Sequence, residues 1–172
     1  MSWTDPDLIH IAATGAVAPA AWGVVVNDDL NFLNDPPGCS VYSSSVQTLT
    51  TNVLTALAAN QENSDTDGMH STVSQNTRIT GQTDGRYMFL SNVTFPANAT
   101  GGRLLDFAVN GVTLTGSGMQ LPSPGNTAPI NLTYVRVITL VAGDYVEARA
   151  RQVSGGNMDV TLIEFACTYL GR

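Results

Sequence analysis

No lysine occurs in this chain of 172 residues, and all seven cationic side chains are arginine. Against 14 acidic residues they leave a formal charge of −7. A nucleic-acid interface neutralises phosphates with clustered cations, so this balance argues against nucleic acid as a partner. Charge of either sign is scarce, at 12%. Long apolar runs are missing too: nothing reaches the roughly 18 residues of a membrane span, and no membrane partner is expected. The N-terminus lacks the basic segment of a secretory signal, so Met1 is expected to begin the mature protein. Histidine is limited to His10 and His70, far apart in sequence. There is no G-x-S-x-G, phosphate loop, paired-carboxylate motif or Cys/His ligand spacing. Neither catalysis, a cofactor nor a metal is expected. The run Asp65-Thr66-Asp67-Gly68-Met69-His70 alternates carboxylates before a glycine. Its twelfth position is Asn76, where a calcium loop needs a bidentate Glu, so it reads as a polar surface loop.

What is present is turn chemistry and short apolar runs. The chain has 16 Gly and 8 Pro, with 43% hydrophobic residues, the composition of a β-rich domain with many turns. From Cys39 onward, strand-like runs alternate with turns at the spacing of a sandwich or barrel. Strands are expected over 41–49, 52–59, 78–80, 86–95, 103–110, 112–115, 132–141, 145–153 and 158–170. Polar loops are expected at 60–75 and 116–126. About eight to ten strands without a helical crossover imply antiparallel sheets. The stretch 85–111 reads as two strands, a loop between them and a closing Asn110-Gly111 turn.

Along 86–95 the aromatic set Tyr87 and Phe89, with Ser91, Val93 and Phe95, falls on one face by period-two alternation. The other face still carries Met88 and Leu90. Over 132–141, Tyr134, Ile138 and Leu140 oppose Val135, Val137 and Val141. Over 158–170, Val160, Leu162 and Ala166 oppose Ile163, Phe165 and Tyr169. A strand apolar on both faces needs a second cover, and another subunit is the expected one. Met88, Leu90, Tyr134, Ile138 and Leu140 are the candidate interface residues. By contrast, 103–110 and 145–152 have one wet face.

Residues 1–37 differ in character and read as an arm, leaving 38–172 as the folded domain. Within the arm, 20–33 has an apolar stripe at helical spacing, with Pro19 in the first turn and Asp35-Pro36-Pro37-Gly38 as a stop. Trp3, Trp22, Leu30 and Leu33 are candidate anchors to a partner. Cys39 and Cys167 read either as two small buried apolar residues or as a disulfide between first and last strands. The sequons at Asn92, Asn98 and Asn131 read as ordinary Asn and Thr of a β protein.

Several short motifs, in this order and spacing, resemble trimeric jelly-roll domains of the complement and tumour-necrosis-factor type found in structural proteins of tailed bacteriophages. They are the Asp65–His70 run, Gly85-Arg86-Tyr87, the NATGGR of 98–103, Asn110-Gly111, Ala142-Gly143-Asp144-Tyr145-Val146 and Gln152-Val153-Ser154-Gly155-Gly156. The segment 20–33 is similar to arms that precede such domains, although Gly23 stands where a polar residue is usual. The resemblance implies an all-β antiparallel jelly-roll sandwich of about ten strands in two sheets, forming a homotrimer. It implies a non-enzymatic virion protein assembled in a host cytoplasm, a capsid decoration protein held to the major capsid protein by its arm. The alternative it implies is a head fibre, minor tail or tail-tip protein that binds a host-surface ligand. It also implies that the first and last strands are antiparallel neighbours, which would bring Cys39 close to Cys167.

Overall fold

The computed structural model describes residues 30–116, 118–123, 125 and 128–172. Among these, twelve strands build two antiparallel sheets. The first sheet holds β1 (Gly38–Tyr42), β2 (Gln47–Leu49), β4 (Gln61–Asp65), β6 (Gly85–Phe95), β10 (Ile130–Leu140) and β12 (Met158–Gly171). Its order is β10-β6-β12-β1-β4, with β2 alongside β12. The second holds β3 (Thr55–Ala56), β5 (Arg78–Thr80), β7 (Gly102–Val109), β8 (Val112–Thr113), β9 (Met119–Pro122) and β11 (Tyr145–Gln152). Its order is β3-β11-β7-β8, with β5 on β11 and β9 on β7. The chain passes repeatedly from one sheet to the other, as in a jelly roll.

The core lies between the sheets. Tyr87, Phe89, Val93 and Phe95 of β6 meet Leu105 and Phe107 of β7 and Val146, Ala148 and Ala150 of β11, all fully buried. Phe89 sits among aromatic rings: 6.2 Å from Phe107 and 5.8 Å from Phe165 between centroids. Each such side chain contributes roughly 1.5–3 kcal/mol by leaving water.

β6 and β7 lie in different sheets, because β6 pairs β10 and β12 whereas β7 pairs β8, β9 and β11. Three expectations change. The polar stretch 60–75 contains β4, an edge strand with four of five residues exposed, and the 116–126 loop contains β9 on the edge of the second sheet. Edge strands are held by backbone bonds and need no apolar alternation. β12 is not apolar on both faces either. A bulge between Thr161 and Glu164 shifts its parity, so Val160, Ile163 and Phe165 all point inward. The residue that absorbs the bulge is Leu162, half exposed and at φ 48°.

Of the arm, residues 30–34 form one helical turn. Phe32 is buried, edge-on to Tyr169 at 5.3 Å, and Tyr169 meets Tyr87 in the same way at 5.2 Å. The described end of the arm is thus seated on the sandwich. Trp3, Trp22 and His10 lie outside the described residues.

Candidate assembly face

Paired residues of an antiparallel ladder share a sheet face. Leu90 pairs with Val135 and Met88 with Val137 across β6 and β10, while Ala166 of β12 pairs with Leu90 from the other side. These five side chains therefore form one apolar row across three strands, on the outside of the first sheet. Met88 is 38% exposed, Val135 48% and Val137 52%. Polar pairs border the row: Asn92 donates to Glu164 at 3.2 Å and Thr133 donates to Asn92 at 3.3 Å. Thr94 donates to Asn131 at 3.4 Å. Two of the three sequon asparagines thus stand in cross-strand pairs.

The register corrects the choice of side chains on β10. Tyr134 pairs with Ser91 and Ile138 with Tyr87, on the core face. Ile138 and Leu140 are buried, and the Tyr134 ring lies 5.0 Å from that of Phe107. Alternation separates the two faces of a strand but does not say which is inward. On β10 both were apolar, and the outward set is Val135 and Val137. Met88 and Leu90 do point outward. Among the candidate anchors, Leu30 and Leu33 are exposed and Phe32, between them, is the inserted side chain.

Cys39 and Cys167 stand directly opposite each other on β1 and β12, both buried and both free thiols. The Cys167 sulfur is 4.0 Å from that of Met69. Burial pushes the Cys167 thiol up to about 12, and the Cys39 thiol further. Neither is a ready nucleophile.

The 65–70 run is organised by Asp65, whose carboxylate accepts the backbone N–H groups of Asp67, Met69 and His70 at 3.2, 2.9 and 2.9 Å. His70 places Nδ1 3.0 Å from Glu62 and Nε2 3.4 Å from the Asn76 carbonyl. Beside it is a cleft of about 160 Å³ lined by His70, Ser71, Ser74, Arg78 and Gln82. No cluster of three His, Cys, Asp or Glu suited to a metal occurs among the described residues.

The outside of the second sheet is charged. Asp106 of β7 is buried there, with Arg149 Nε at 3.7 Å and Arg151 nearby. Burial raises the pKa of Asp106, and the two arginines oppose that rise. Arg103, on the core face, is fully buried and donates to the carbonyls of Asn98, Thr100 and Gly102, clamping the NATGGR turn.

The fold has counterparts among solved structures. The globular domain of zebrafish complement 1qA protein superposes with a TM-score of 0.61 at 16% identity, over 79% of this chain and 98% of that one. The fold is the complement and tumour-necrosis-factor type of jelly roll. Murine APRIL matches with a TM-score of 0.57 at 15% identity, over 78% of this chain and 98% of its own. The PRD1 vertex protein P5 matches with a TM-score of 0.56 at 14% identity, over 78% and 97%. No protein-family model matches the sequence, and no curated protein matches it. At these identities the likeness establishes the fold alone.

Proposed function

We propose that this chain is a non-enzymatic virion structural protein that forms a homotrimer through the outside of its first sheet. The observation that carries the reading is the Met88–Leu90–Val135–Val137–Ala166 row. It is a contiguous apolar surface on a chain whose opposite face is charged, and contiguous exposed apolar patches mark association sites. Similarity to a vertex protein and the motif-level resemblance to phage jelly rolls support the virion setting. In this reading the arm, residues 1–37, mounts the trimer on the shell as a capsid decoration protein. Phe32 fixes the arm to the domain, while Leu30 and Leu33 face outward as part of the mounting contact.

Because 30–37 pack on the sandwich, the informative truncation removes 2–29. The shortened chain should remain a soluble trimer and no longer sediment with capsid shells. Retained shell binding would overturn the anchoring role. A second reading, a tail-tip or fibre protein that binds a host-surface ligand, is favoured by the polar cleft beside Arg78 in the 60–82 region. Immunogold labelling of particles separates the two: label on the head supports decoration, and label on the tail supports the receptor reading.

A further inference from the structure

On the outside of the second sheet, three adjacent strands line up in rows. Arg151 of β11, Leu104 of β7 and Gln120 of β9 form one row. The next has Gly102 at its centre, pairing with Pro122, while the Val153 N–H donates to the Gly102 carbonyl at 3.1 Å. Gly102 puts a gap where a side chain would stand. The result is a cavity of about 260 Å³ with Gly101 and Gly102 as its floor, Leu104 and Val153 as apolar walls, and Arg151 and Gln120 as polar ones.

Arg151 differs from five of the other arginines. Arg78, Arg86, Arg103, Arg136 and Arg149 each donate a hydrogen bond to a named acceptor. Arg151 donates none among the described residues, and its Nε is buried without a partner. Of the two carboxylates on this face, Asp106 stands closest to Arg149, and Glu147 lies further along β11 where it pairs with Arg78, so neither is hydrogen-bonded to Arg151. Arg151 is half-buried, with its Nε shielded from water and lacking an acceptor, and a carboxylate answers such a group with paired charge-assisted bonds.

We propose that this cavity binds a carboxylate-bearing sugar of the uronic-acid type. The carboxylate pairs with Arg151, the amide of Gln120 meets ring hydroxyls, and the C–H face of the ring lies on Leu104 and Val153. A group of acetate size would leave most of the volume empty. The site lies on the sheet opposite the assembly face, so it stays open in a trimer.

Amide and arginine Nε–H shifts of the full-length chain, titrated with glucuronate, glucose and acetate, test it. Glucuronate should saturate the shifts of Gly101, Gly102, Val153 and Arg151 with an affinity on the order of millimolar, as befits one sugar ring. Glucose and acetate should each bind at least about tenfold more weakly, for want of the charge or the ring. Arg151→Gln should weaken glucuronate roughly tenfold or more by removing the charge. Gly102→Val should do the same by filling the gap. A Cβ at Gly102 meets the Leu121 carbonyl at 3.4 Å and the Gln120 amide at 3.7 Å, both ordinary contacts, and the amide dispersion of the variant's own spectrum checks that it is folded. Absence of saturable shifts with glucuronate overturns the proposal, as does binding unchanged in both variants. Acetate saturating at the same concentrations overturns the acidic-sugar assignment. The measurement uses the isolated protein, so its outcome is independent of where the protein sits on a particle.

Discussion

The two sheets bury the same kind of surface and show opposite kinds. Inward, both present aromatic and aliphatic side chains to one core. Outward, the first sheet carries Met88, Leu90, Val135, Val137 and Ala166, whereas the second carries Glu147, Arg149, Arg151 and Asp106. A lone sandwich would gain nothing from the first arrangement, since exposed apolar area is not stabilising. The second arrangement is what water tolerates. On the proposed reading the asymmetry separates a face that is covered from one that is displayed, and each of the following experiments is aimed at that difference.

The largest effects should come from two adjacent residues of β6. Phe89→Ala opens a cavity at the centre of the aromatic cluster and should cost about 3–5 kcal/mol in chemical denaturation. Leu90→Glu, one residue on, should leave the melting temperature of the domain nearly unchanged and dissociate the assembly, as read by sedimentation velocity. An unfolded Leu90→Glu protein would show that this face belongs to the core.

Smaller, and on the opposite face, is the response of Asp106. Its carboxyl is harder to ionise in the folded chain than at the ordinary value of 3.8, chiefly because of burial. The folded state therefore holds the proton more tightly than the unfolded one, and this group favours folding more as pH falls through the window just above 3.8. Asp144 has the opposite sign. It accepts from Asn110 at 2.7 Å and from the Val141 N–H at 2.9 Å, which lowers its pKa, so its contribution is lost as pH falls below 3.8. Comparing denaturation of Asp106→Asn with the parent between pH 3 and 6 should remove the first contribution and leave the second. An identical pH profile would mean that Asp106 is ionised as freely as a surface carboxylate.

The smallest expected signal is chemical. Cys39 and Cys167 lie under the first sheet, so a thiol reagent at pH 8 should modify neither until the chain is unfolded. Rapid labelling of the native protein would place β1 or β12 outside the packed sheet.

Much of this arrangement was legible in the residues, for physical reasons. β6 was clear because its alternation runs unbroken through eleven residues, and β11 because small apolar residues alternate with charged ones. The neighbourhood of Cys39 and Cys167 followed from the resemblance, and the register places them opposite each other. What escaped was held by forces that leave no pattern in a single strand. β4 and β9 are edge strands defined by backbone pairing. The two-faced reading of β12 failed because one bulged residue, Leu162, reverses the parity of everything after it. On β10 both faces are apolar, so only pairing with β6 shows that Val135 and Val137 are outward and Tyr134, Ile138 and Leu140 inward. Phe32 was overlooked because it falls off the helical stripe that Leu30 and Leu33 continue, yet it is the side chain that inserts. The cavity at Gly102 had no signal at all, being built from three strands and a missing side chain.

A trimer requires that the first sheet be covered in solution. Light scattering of the purified chain at micromolar concentration should give three times the 18.1 kDa of one chain, and Leu90→Glu should give one. A parent protein at 18.1 kDa, or a Leu90→Glu variant that keeps the trimer mass, would contradict it.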